Sequence, residues 1–206
     1  MGGNRIEFFY DLSSPWTYIA FHNLAGVMER TGASVRLRPI LVGGVFNAVN
    51  PSVYAAREAA DNPKFKHSWR VMKDWAALAG IEINFPSAFH PAKSINAMRM
   101  ACTLEGDQQA LTNFTRAAFE SYFDAQENLD DPDVLIAVAN KIGLDGEAMR
   151  AESQTDAVKA RLRANTDEVI ARGGYGSPTI FVDTTKMYFG NDQLPLVEFA
   201  LNRSFA

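Results

Sequence analysis

The sequence predicts an α/β fold with a βαβ unit at its start, a ββα unit at its end and an all-helical block between them. Three observations support this. Short strand-like runs occur only near the two ends, at residues 6–10, 34–40, 178–183 and 186–189. The middle of the chain repeats its apolar positions at helical spacing over 63–80, 92–105, 108–124, 132–142 and 155–171. Helix start and stop residues punctuate that middle, with Asp131-Pro132 as a start and Gly143 and Gly173-Gly174 as stops.

Each element has a local reason. Residues 6–10, Ile-Glu-Phe-Phe-Tyr, form a short aromatic strand closed by the turn former Asp11. Ser14 before Pro15 starts a helix: the hydroxyl can accept a backbone N–H, and proline lacks an N–H that would have had no partner. Trp16, Ala20, Leu24, Val27 and Met28 continue that helix at the expected spacing, and it ends near Gly32. Residues 34–40 alternate apolar and polar until Pro39, giving a second strand and a right-handed crossover. Near the other end, a turn at Thr184-Thr185 joins two strands into a hairpin, and Asn191-Asp192 are short polar caps for a last helix. There is no internal repeat and no Pro/Gly/Ser-rich linker. The order is that of a thioredoxin-like βαβ–ββα core interrupted by an all-helical insertion. The expectation is one domain over 1–206, with 1–50 and 172–206 as the core and 51–171 as an insertion that packs on it and closes a cleft.

Bulk properties exclude several functions. The net charge of −4 gives no broad basic field for nucleic acid, and the cluster Lys159-Ala160-Arg161-Leu162-Arg163 reads as a solvated helix face. A single cysteine, Cys102, rules out an intrachain disulfide, and its helical apolar surroundings predict a buried structural thiol. His22, His67 and His90 are scattered, with no Cys, Asp or Glu at ligand spacing, so no metal is expected. No signal-peptide pattern precedes the first strand and no apolar run approaches the ~20 residues of a membrane span, so a cytoplasmic protein without membrane contact is expected.

The functional reading starts at Ser14. Taken alone it is an ordinary helix N-cap. In this fold order, however, the first helix points its free N–H groups at the active site, and Ser177-Pro178 stands where the fold places a cis-proline. Ser14-Pro15-Trp16-Thr17 occupies the location of a Cys-x-x-Cys pair and holds no thiol. Such a site can stabilise only a thiolate that belongs to a bound molecule.

Five blocks bear a family resemblance. Phe9-Tyr10-Asp11-Leu12-Ser13-Ser14-Pro15-Trp16-Thr17-Tyr18, Arg38-Pro39-Ile40-Leu41-Val42-Gly43-Gly44-Val45-Phe46, Lys93-Ser94-Ile95-Asn96-Ala97-Met98-Arg99, Gly176-Ser177-Pro178 and Tyr188-Phe189-Gly190-Asn191-Asp192-Gln193-Leu194 follow one another in order. Together they resemble the 2-hydroxychromene-2-carboxylate isomerases and kappa-class glutathione transferases of the DsbA-like superfamily.

The resemblance implies glutathione as cofactor and Ser14 as the catalytic residue beside its sulfur. Ser177 and Pro178 would offer backbone to its cysteinyl part, Asn191 and Asp192 would hold its γ-glutamyl end, and Asn50 would contribute to the same site. It implies a small aromatic substrate and a homodimer. It also implies cis-trans isomerisation of 2-hydroxychromene-2-carboxylate, or a close analogue, to trans-o-hydroxybenzylidenepyruvate in aromatic hydrocarbon catabolism. Alternatives are a kappa-like transferase or peroxidase, a dithiol oxidoreductase and a non-catalytic binding module. Trp16 is the candidate to stack on the aromatic substrate, core packing being its other reading. Asn47 stands where the isomerases commonly carry a lysine, with Lys64, Lys66, Arg70 or Lys93 as other sources of positive charge.

Overall fold

A computed structural model describes residues 5–53 and 63–203; residues 1–4, 54–62 and 204–206 of the expected single domain lie outside the described residues. Four strands form one sheet in the order β2-β1-β3-β4, with β1 at Arg5–Tyr10, β2 at Ser34–Pro39, β3 at Thr179–Val182 and β4 at Lys186–Phe189. β1 and β2 are parallel, with Tyr10 opposite Pro39; β3 is antiparallel to both β1 and β4, with Phe9 opposite Thr179. The crossover is α1, Pro15–Thr31, ended by Gly32 at φ 65°, where the Gly32 N–H donates to the Met28 carbonyl.

The alternation of β1 splits the core in two. Ile6, Phe8 and Tyr10 face α1, the C-terminal helix α9 (Leu194–Arg203) and the helices α4 (Ile95–Thr103) and α5 (Gln108–Phe123), in a large apolar cluster. Phe9 faces the other way and packs with Ile40, Val45, Val169 and Phe181. That second face is covered by α2, Val42–Val49, and α8, Asp156–Ala171. So α8, which lies within the stretch read as an insertion, closes the sheet itself. The remaining described helices are α3 (Pro63–Ala79), α6 (Pro132–Lys141) and α7 (Gly146–Glu152).

Three helices depart from the sequence expectation. α2 contains Gly43 and Gly44 and has weak helix propensity, but a Cβ on Gly44 would lie 3.3 Å from Thr166 Cγ2, so the glycine lets α8 approach closely. α7 begins at Gly146, where a Cβ would lie 2.5 Å from the Ile136 carbonyl oxygen; the cap Asp145 accepts the Ala148 N–H at 2.9 Å. The helix expected over 92–105 starts at Ile95, because the Ser94 hydroxyl turns inward to Asp11 at 3.0 Å.

An ionic network staples the second face. Arg38 pairs with Glu7 at 3.5 Å, with Glu105 at 3.3 Å and with Glu168, and Arg172 joins Glu7 and Glu168 at 2.8 Å each. The Arg172 guanidinium also lies 3.7 Å from the centroid of the Phe181 ring.

Candidate active site

The site is built where β1 ends. Asp11 is fully buried, and its carboxylate accepts from Ser13 N at 2.9 Å, Ser13 Oγ at 2.8 Å, Val42 N at 2.8 Å and Ser94 Oγ at 3.0 Å. Its own N–H donates to Ser177 Oγ at 2.9 Å. Burial pushes the Asp11 carboxyl up from its usual range, against the pull of these hydrogen bonds. The Asp11 side chain thus fixes the entry to α1, the start of α2 and the start of α4, and its backbone N–H holds the loop before β3. Sequence reasoning took Asp11 only as a turn former. Its i→i+2 bond to Ser13 is the local signal that was available; its partners 31, 83 and 166 residues away left none.

Ser14 caps α1, accepting the Thr17 N–H at 3.2 Å, and its hydroxyl donates to the Ser177 carbonyl oxygen at 3.4 Å. The Ser177-Pro178 peptide is cis. Thr17, buried in the first turn of α1, shares a 2.8 Å hydrogen bond with Ser177 Oγ, so the helix N-terminus and the proline loop are bolted together through two side chains. No carboxylate stands in the first turn of α1, which leaves the positive end of the helix dipole unopposed within the helix.

Two further predicted segments converge on this loop, one with Asn50 and one with Asn191 and Asp192. Asn50 ends α2 and donates from Nδ2 to the Tyr175 carbonyl at 3.2 Å, two residues before Ser177. The Gly190 N–H donates to the Pro178 carbonyl at 3.2 Å, which places the Asn191–Gln193 turn beside the proline. Asp192 is exposed on that turn, whereas Asn191 is buried and accepts from Asn23 Nδ2 at 2.9 Å on the flank of α1.

Trp16 is half-buried, with its ring on the main core. Asn47 is exposed on α2. Of the four named cations, Lys93 lines a cleft of about 250 Å³ shared with Ser13, the start of α2 and Phe46. Lys64, Lys66 and Arg70 lie on α3. A larger cleft of about 870 Å³ runs along α1, lined by Tyr18, His22, Asn23, Trp75, Asp124 and Asn191 among others.

Cys102 is buried in α4, and burial pushes its thiol up, away from reactivity. Among the described residues no group of His, Cys, Asp and Glu could hold a metal ion, and no helix is long and apolar enough to cross a membrane.

The chain is 27% identical over 193 residues to a 2-hydroxychromene-2-carboxylate isomerase of Sphingobium xenophagum, covering 94% of this chain and 95% of the relative. It is 25% identical over 218 residues to glutathione S-transferase kappa 1 of Homo sapiens, covering 97% and 92%. The solved structure of a 2-hydroxychromene-2-carboxylate isomerase superposes with a TM-score of 0.82 at 24% identity, covering 97% of this chain and 95% of that one. The model of the DSBA-like thioredoxin domain matches residues 5–202, and with its serine-capped first helix against a cis-proline loop the chain belongs to that family.

Proposed function

We propose that this protein is a glutathione-dependent isomerase acting on 2-hydroxychromene-2-carboxylate or a close aromatic analogue. The observation that supports this best is the Ser14 hydroxyl, set at the N-terminus of α1 and 3.4 Å from the carbonyl that precedes cis-Pro178, in a chain whose one cysteine is buried elsewhere. A dithiol mechanism has no second thiol to use. The residues present fit a cysteine-containing tripeptide: a hydroxyl at a helix N-terminus for the sulfur, the Ser177-Pro178 backbone for peptide pairing, and an exposed carboxylate, Asp192, beside the backbone N–H groups of a turn for the ends of a γ-glutamyl group.

When bound, glutathione would supply a nucleophilic sulfur for covalent catalysis at the substrate's double bond, without net consumption. Ser14 donates to the sulfur anion and, with the helix dipole, keeps it ionised near neutral pH. Thr17 and Asp11 act as positioning residues, through Ser177. The cleft at Ser13, with Lys93 at its edge, is the place for the aromatic substrate, and Lys93 supplies the charge that Asn47 lacks. The active form in this reading is a cytoplasmic homodimer, which sedimentation of the purified chain tests.

A glutathione transferase is the second reading, favoured by Asn47 at the position where the isomerases commonly carry a lysine. A crystal soaked with glutathione is expected to show its sulfur within hydrogen-bond reach of Ser14 Oγ. Turnover of the chromene with no net loss of glutathione supports the isomerase. Consumption of glutathione with 1-chloro-2,4-dinitrobenzene, and no chromene turnover, supports the transferase. No glutathione at Ser14 overturns both.

A further inference from the structure

A groove of about 630 Å³ lies between α2, α4 and α8, away from Ser14. Arg99, Lys159 and Arg163 line it, with one carboxylate, Asp167. Leu41, Ala48, Ile95, Ala160, Leu162 and Ile170 make up the apolar part of its wall. The volume falls in the range of small-molecule sites.

The charges in this groove are unbalanced in a chain that is acidic overall. Lys159 has Asp156 at 3.3 Å. Arg99 is half-buried, its Nε is sealed from solvent, and no hydrogen-bond or ion-pair partner meets it among the described residues. The contrast is Arg38, which is buried and has three carboxylates around it. A sealed N–H with no acceptor is costly, and a bound anion that accepts from Arg99 Nε removes that cost.

We propose that this groove is a second binding site, for a small organic anion. A carboxylate or phosphate group is held by the Arg99 and Arg163 guanidinium groups, and an apolar body rests on the aliphatic wall. The guanidinium fork suits either oxyanion. The groove shares Leu41, Gly44 and Ile95 with the cleft at Ser13, so α2 forms a common wall between the two sites.

Calorimetric titration of the full chain with 2-naphthoate and, separately, with inorganic phosphate tests this. 2-Naphthoate is expected to bind, and R163Q and R99Q each weaken it by about tenfold or more, while K141Q, an exposed change on α6 outside the groove, leaves it unchanged. Phosphate, which has the charge without the apolar body, is expected to bind more weakly. The proposal is overturned if the wild-type chain binds no naphthoate, if R163Q binds it as the wild type does, or if K93Q loses it while R163Q retains it, which puts the ligand in the Ser13 cleft. It is also overturned if phosphate binds as tightly as naphthoate. Circular dichroism reports whether R99Q folds; R163Q, a change on the surface of α8, decides the outcome if it does not.

Discussion

Ser14 and Asp11 divide the work of the site. Ser14 is half-buried; its oxygen accepts the Thr17 N–H, but its hydroxyl hydrogen has only a long contact to the Ser177 carbonyl and can turn to an incoming sulfur. Ser14→Ala is expected to leave the circular dichroism spectrum unchanged and to cut turnover by roughly ten- to thousand-fold, the range for losing one oriented donor. Asp11 is the opposite case, fully enclosed with both oxygens occupied by donors. In Asp11→Asn the new amide N–H groups face donors, so one pair of hydrogen bonds is lost; denaturant titration should show a loss of about 1–3 kcal/mol. Cys102 should resist a thiol reagent such as dithionitrobenzoate in the folded protein and react only on unfolding, because its thiol is buried and held protonated. Ser14 was legible because Ser-Pro is a local signal. Asp11 was legible only as a turn, because the donors that make it central come from other parts of the chain.

Helices and turns hold these groups in register. The turn after β4 depends on Gly190, whose φ of 87° is in the left-handed region, and a Cβ there would lie 2.8 Å from Asp192 Oδ1. Gly190→Ala is therefore expected to destabilise the fold by about 1 kcal/mol and to raise the KM for glutathione more than it lowers kcat, read from steady-state kinetics. Caps that lie within a few residues were readable in advance. Asp131 before Pro132 accepts the Asp133 N–H at 2.9 Å and starts α6 as expected. α2 was not readable: its two glycines argue against a helix, and the burial of Val45 against Phe9, Val169 and Phe181 overrides them.

The two faces of the sheet are secured by different forces. The α1 face is apolar, while the α8 face depends on the Glu7, Arg38, Glu105, Glu168 and Arg172 network. Burial alone would push the Glu168 carboxyl up, but its pairs with Arg38 and Arg172 outweigh that and hold it below its usual 4.5. A carboxyl lowered by folding stabilises the native state above its unfolded pKa, and that contribution is lost as pH falls through the folded value. Urea titrations between roughly pH 3 and 7 should show stability falling with acid below the ordinary glutamate range, and Glu168→Gln should flatten that slope. By itself the sequence determined the strands, most helix starts, the serine at the head of α1 and the absence of a thiol there, because periodicity and capping act within one or two turns. Only the tertiary structure decided that α8 closes the sheet, that Asp11 gathers four segments and that Arg99 has no counter-charge among the described residues. Those facts depend on which groups meet across tens of residues, and no local pattern encodes such meetings.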